Sequence, residues 1–313
     1  MTSIETSSPL LASRLWRKSP VIVRAVVTGF IICIPAANVI PAVALGAGAS
    51  SSPALQTIVG LAAVALLVAY LWWTRGSGWP RSTSAARARA TRVSSFSQRQ
   101  WIMSFGAALA FAVVMHSALV ILFRIIPFPV EAFHRGYDLS RIPSLPLKWL
   151  VAVFGAACAA ITEETGFRGY LQQPIEERHG AFVAILVSSG LFLVAHLNQS
   201  WAIPAMFPII FLGGVMLGLL AWSSGSLIPG FLGHTLMDIG LFAYWWTGIA
   251  GTFSARTINE TGIDAPFIAA CIIFSVALAA ALVAIAMLGR FRREQSASYA
   301  SEKSFARSTA LVT

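Results

Sequence analysis

The stretch Trp149-Leu-Val-Ala-Val-Phe-Gly-Ala-Ala-Cys-Ala-Ala-Ile-Thr-Glu163-Glu164-Thr-Gly-Phe-Arg168-Gly169 decides how this chain is read. Up to the threonine it is compatible with lipid, and its alanines and glycine allow close helix approach. Two adjacent carboxylates and an arginine then fall within six residues. A charged side chain at a bilayer centre costs about 2.5–3.5 kcal/mol on insertion scales. Three such groups must either pair with one another or be used for chemistry.

The rest of the chain is of the same kind. Of its 313 residues 57% are hydrophobic and 11% charged, and the mean hydropathy is +0.75. Soluble domains carry about 25% charged residues, so the fold class is an all-α polytopic membrane protein. Eight apolar runs have the length of transmembrane helices: 21–46, 54–74, 102–123, 149–171, 182–200, 203–222, 227–247 and 266–289. The first follows Arg14, Arg17 and Lys18 but is too long for the h-region of a signal peptide, so it is expected to be retained.

The net charge of +10 is distributed unevenly. With an inside N-terminus, sixteen lysines and arginines fall on the inner side and five (Arg124, Arg135, Arg141, Lys148, Arg256) on the outer side. By the positive-inside rule both termini are cytoplasmic and the protein is a multi-pass protein of the cell membrane. The basic excess then serves topology and contact with anionic lipid, so the bilayer is a partner and nucleic acid is not. Cys33, Cys158 and Cys271 lie in apolar runs without any CxxC spacing and read as small buried hydrophobes.

Composition divides the chain into a disordered cytoplasmic tail (1–20), a three-helix membrane region (21–147), a core (148–247), and a last transmembrane helix with a cytoplasmic tail (248–313). Within the second part, 75–100 reads as a flexible basic cytoplasmic linker. The outer loop 124–147 holds Pro127, Pro129, Pro143 and Pro146 and reads as irregular. His116, alone on its helix, is expected to be packed or bonded between helices.

The chemistry gathers in the core. Glu164 and Arg168 stand at i, i+4 and can pair along one helix. Glu163 lies about 100° round the helix from Glu164 and is left to project into the bundle. The polar run Gln172–Gly180 reads as the turn to the next helix, with Glu163 and His196 almost equally far from it. Equal distances from a hairpin turn give equal depth, so carboxylate and imidazole form a candidate general-base pair. His234 and Asp238, again at i, i+4, share a face, and Asp238 can fix the tautomer of His234. Loop spacing places this site in the cytoplasmic half of the bilayer.

Glu163-Glu164-x-x-Phe167-Arg168-Gly169, then Phe192-x-x-x-His196, then His234-x-x-x-Asp238 resemble the three ordered motifs of the CPBP intramembrane protease family. That family includes type II CAAX prenyl endopeptidases and bacteriocin-processing or immunity proteins. The stretch from Phe211 to Trp222 is similar to its linker into the third motif. The resemblance implies an endopeptidase acting on a membrane-associated protein or peptide. Glu163 and His196 would activate water, His234 and Asp238 would stabilise the oxyanion, and Glu164, Arg168 and Phe192 would complete the site. Many members have Asn where this chain has Asp238, and Asp donates only when protonated.

No cofactor is expected in this reading. A zinc version has Glu163, His196 and His234 as ligands and Glu164 as base, although no HExxH occurs. From other classes, a non-catalytic scaffold or immunity factor and a proton-coupled transporter remain alternatives, the latter without repeat symmetry to support it.

Overall fold

The computed structural model describes residues 16, 18–50, 52–92, 96–135 and 139–310, with backbone only at 296 and 298–310. The segment read as a disordered tail, 1–20, lies almost wholly outside the described residues. Each of the eight apolar runs forms a helix, and no strand occurs among the described residues. The helices are α1 (Val21–Gly48), α2 (Pro53–Thr74), α3 (Gln98–Ile125), α4 (Leu145–Glu163), α5 (Ala181–His196), α6 (Phe207–Ser224), α7 (Ile228–Gly240) and α8 (Ala265–Ala310).

Two helices change pitch. α4 continues as a π-helix over Glu164–Gln172 and a further α turn over Gln173–His179, and α7 continues as a π-helix over Leu241–Trp246. Among the described residues six helices are long and apolar enough to cross a membrane, so the chain is an all-α, multi-pass membrane protein. The 16-residue α5 falls short of that length and α7 is interrupted. α8 runs on past the apolar stretch, so what reads as a polar tail after 289 continues the helix as far as Ala310.

Local signals explain the ends. Ser52 caps α2 ahead of Pro53, and Ser97 and Gln100 form a reciprocal capping box on α3. Gly180 (φ +85°) and Gly225 (φ +68°) make the tight connections into α5 and from α6, in backbone regions that exclude most side chains.

The expected boundary near residue 147 is not a packing boundary. α3 packs against both α7 and α8, α1 packs against α4 and its π segment, and α2 lies outside α1. The N-terminal helices thus clasp the core from two flanks.

The molecule has two distinct ends. At one, Arg92 pairs with Glu176 at 2.8 Å and donates to the Ala221 carbonyl at 3.2 Å, while Gln100 bonds Gln295. At the other, Arg124 pairs with Asp264 at 2.8 Å, and Ser200 donates to the Ala132 carbonyl at 2.7 Å. The Arg124 side chain donates to Asp264 and holds this half-buried carboxyl below its ordinary value, with help from the Phe267 N–H. Beneath that pair, Phe123, Phe128, Phe133, Trp245 and Phe253 pack edge to face or stacked.

The described part of 75–100 is not a flexible linker. It forms a turn at Arg81–Thr83 and a helix at Ser84–Ala90, built around a buried arginine. Arg87 donates to the carbonyls of Trp73 (2.6 Å), Ser77 (2.8 Å), Gly78 (3.2 Å) and Pro80 (3.2 Å) and lies over the Trp73 ring. A planar group with five donors satisfies loop carbonyls that would otherwise be buried unpaired. The outer loop is likewise only partly irregular, with a helix at Val130–His134 that carries Phe133 into the aromatic cluster.

Arg92 and Glu176 are 5% and 14% exposed. Truncating either to alanine is expected to destabilise the protein by about 3–5 kcal/mol, the cost of leaving one buried charge alone. The double variant should lose less than the sum of the two, as read by thermal unfolding in detergent.

Candidate active site

The site begins where α4 changes pitch. Glu163 is the last α-helical residue and Glu164 the first of the π segment. π-helical turns are frequent at functional sites, and a wider turn redirects the side chains that follow it. Glu164 and Arg168 remain paired through it, at 3.0 Å and with no exposure of either side chain.

That pair is anchored across three helices. The Arg168 guanidinium also donates to the Gly214 carbonyl of α6 at 3.2 Å and lies 4.4 Å from the Phe192 ring centre on α5. Glu164 Oε1 further accepts from His234 Nδ1 of α7 at 3.0 Å. Gly230 makes room for this: a Cβ there would stand 2.9 Å from Glu164 Oε2. Gly214 and Gly230 were not legible as site residues in the sequence. Their spacing from His234 carries no signal until α6 and α7 are placed against Glu164 and Arg168.

Glu163 points the other way, into a cavity. Its Oε2 lies 3.9 Å from His196 Nε2 and 3.8 Å from His234 Nε2. These separations exceed a direct hydrogen bond but suit two imidazoles and a carboxylate sharing one small molecule between them. The oxygen has no hydrogen-bond partner among the described residues. Glu163 and His196 stand 17 residues before and 16 after Gly180, and the hairpin brings them level.

The imidazoles are aimed by their other nitrogens. His196 Nδ1 donates to the Phe192 carbonyl one turn back, at 2.7 Å, which leaves Nε2 facing Glu163. His234 Nδ1 donates to Glu164, so Glu164, and not Asp238, sets the orientation of His234. This corrects the role read for Asp238 from i, i+4 spacing. Its Oδ2 lies instead on the Nε2 side of His234, at 3.6 Å, because Nδ1 is already taken across the helix interface.

The four groups Glu163, His196, His234 and Asp238 line a cavity of about 390 Å³ whose other walls include Phe111, Met115, Leu217 and Trp246. Such a mixture of apolar wall and few convergent polar groups is typical of ligand sites. His234 is the seventh residue of α7 and His196 the last of α5, and their Nε2 atoms meet at Glu163 Oε2.

His116 is bonded between helices. Trp245 Nε1 donates to its Nδ1 at 3.1 Å, and its Nε2 donates to the Met237 carbonyl at 3.1 Å, so it braces α7 next to Asp238. Among the described residues no group of three His, Cys, Asp or Glu side chains is arranged to hold a metal ion.

A carboxylate and two imidazoles of three helices thus converge on one apolar cavity. Residues 143–240 match the family model of the type II CAAX prenyl endopeptidase Rce1-like proteins, a family of proteases. The matched segment contains all three motifs, so the resemblance read from them is borne out over about a third of the chain. No curated protein and no solved structure matches the chain.

The two adjacent acids differ in what they hold, which predicts different losses. Glu164→Gln leaves Arg168 as a buried, uncompensated cation and is expected to cost about 3–5 kcal/mol of stability. Glu163→Gln removes no bond that joins helices and should leave the unfolding temperature in detergent essentially unchanged.

Proposed function

We propose that the protein is an intramembrane endopeptidase that hydrolyses a peptide bond of a membrane-associated protein or peptide in the cell membrane. The observation that carries this reading is the unbonded Glu163 Oε2, held 3.8–3.9 Å from the Nε2 atoms of two histidines whose Nδ1 atoms are both fixed. The family match over the same residues supports it.

In this mechanism a water held between Glu163 and His196 attacks the scissile carbonyl. Glu163 takes one proton from the water, and His196 Nε2 accepts a hydrogen bond from the other and orients the lone pair. The oxyanion forms on the His234 and Asp238 side. His234 Nε2 donates there as imidazolium, its charge set between Glu163 and Glu164, and Asp238 donates beside it in its protonated form. The C–N bond breaks as Glu163 returns its proton to the leaving amine. No metal takes part in these steps.

Apolar walls keep bulk water from the acid and strengthen each charge–dipole contact. The substrate's surroundings are lipid, since the cavity lies inside a bundle whose outer faces are apolar.

Glu163→Gln is expected to lower cleavage by about 10²–10⁴-fold, the usual worth of a positioned general base. Comparing the membrane proteomes of cells carrying the wild type and this variant should reveal one tail or anchor that stops being trimmed. Unchanged function in the variant would make the protein a scaffold.

Asp238 offers a second test. Asp238→Asn places a permanent donor at the oxyanion side and should keep activity within several-fold. Asp238→Ala removes the donor and should lose about 10²–10³-fold. Equal loss in both would remove Asp238 from the oxyanion site.

A further inference from the structure

We propose that the folded segment following α2 is a binding site for the anionic headgroups of membrane lipids, with Arg75, Arg81 and Arg89 as its cationic contacts. One small element thus takes the contact with anionic lipid expected of the basic excess as a whole, whatever the cavity catalyses.

The element is held rigid from within. Arg87 draws the carbonyls of Trp73, Ser77, Gly78 and Pro80 around its guanidinium, and Ser84 Oγ donates to the Gly76 carbonyl. Trp73 Nε1 donates to the Trp79 carbonyl at 3.0 Å, which ties the turn back to the end of α2. On its inner side the element rests on the π segment of α4. There the Tyr170 hydroxyl donates to the Thr74 carbonyl at 3.1 Å. Gly169 leaves room for the Ala90 carbonyl, which a Cβ would meet at 2.6 Å. With these carbonyls satisfied inside, the outer surface is left to side chains.

The charges on that surface are of one sign. No acidic residue occurs between Glu5 and Glu131 in the sequence. Glu176, which reaches the element from the extension of α4, is taken by Arg92 at 2.8 Å. Arg75, Arg81 and Arg89 are exposed, and their side chains make no ion pair or hydrogen bond among the described residues. Three cations on one small rigid element, without a counter-charge of its own, raise the local potential and attract anions.

Depth selects lipid among anionic partners. α2 has 22 residues. It is therefore about 33 Å long and crosses a hydrocarbon layer of about 30 Å, with its last turn at headgroup level. Ile58, Leu61, Val68 and Trp72 are exposed along it, as suits a helix that faces lipid. The arginines begin directly after that last turn. Trp79 is 84% exposed and Trp72 56%, and the Trp72 ring lies against Gly78, where a Cβ would stand 2.7 Å from it. Indoles exposed to this degree suit the boundary between headgroups and acyl chains. Tryptophan beside arginine on one element fits a phosphate with hydrocarbon beneath it better than a free phosphate or a nucleic acid.

Native mass spectrometry of the full chain tests this without any substrate. The protein is purified in an uncharged detergent and given an equal mixture of phosphatidylglycerol and phosphatidylcholine. The wild type is expected to retain phosphatidylglycerol about tenfold over phosphatidylcholine, and the double variant Arg81→Gln, Arg89→Gln to lose most of that preference. The double variant Arg81→Lys, Arg89→Lys keeps the charge and should stay within about threefold of the wild type. Arg141→Gln with Arg256→Gln removes the same charge from two exposed arginines elsewhere and should leave the preference unchanged. Arg81 and Arg89 hold nothing in the fold, so their variants should unfold at the wild-type temperature.

Absence of a preference in the wild type would overturn the inference. Equal loss in the Arg141, Arg256 pair would overturn it as well, since net charge alone would then account for the effect. Glycerol 3-phosphate and a single-stranded DNA oligonucleotide are offered in competition. Displacement of the lipid by the first would make the ligand a soluble phosphate, and displacement by the second a nucleic acid; either overturns the inference. Retention of the lipid against both supports it.

Discussion

One carboxylate oxygen organises the interior. Glu164 Oε1 is 3.0 Å from Arg168 and 3.0 Å from His234, and none of the three side chains is more than 3% exposed. A guanidinium with no water around it is tolerable only where its charge is matched and its N–H groups find acceptors. Here one α4 carboxylate matches the charge, one α6 carbonyl accepts from Nη2, and the aromatic face of Phe192 on α5 lies against the group. Four helices are thereby tied to a single charge. Buried ion pairs are often no more stabilising than packed apolar groups. What an apolar replacement would not do is grip an imidazole by one nitrogen and aim the other.

The adjacent acids follow from this constraint. Neighbouring residues on a helix diverge by about 100°, so a carboxylate committed to the interior and one turned into a cavity can share the same turn. The π segment begins between them. It lets Glu164 and Arg168 stay in register while the following residues fit against α1 and α5. Glu163, just before the change of pitch, keeps ordinary α geometry and points at His196 and His234.

Much of this was legible in the sequence. The eight helices, the Glu164–Arg168 pair, the equal depth of Glu163 and His196, and the interhelical bonding of His116 follow from apolar length, i, i+4 spacing and hairpin arithmetic. What was not legible depends on contacts between distant segments. Arg87 looked like one of many loop arginines, and only folding shows that it gathers five carbonyls between Trp73 and Pro80. Asp238 looked like the partner of His234 because spacing along one helix cannot reveal that a carboxylate from another helix reaches Nδ1 first. Gly230 is silent in the sequence for the same reason, since its value is the volume it leaves for Glu164.

The position of Asp238 is the clearest consequence of how α7 is held. That helix is fixed at two neighbouring points, by Glu164 on His234 and by His116 on the Met237 carbonyl, with Trp245 closing the second. Asp238 lies beside Met237 and one turn from His234, yet its carboxyl makes no hydrogen bond among the described residues and contributes neither restraint. A buried carboxyl spared from structural duty costs free energy wherever it is placed. Its nearest polar neighbour is His234 Nε2, the nitrogen that faces the cavity. A helix that needed Asp238 only for packing would have bonded it. Held as it is, the group sits where a charge developing beside His234 would meet it, which is the argument for counting it with the reacting residues.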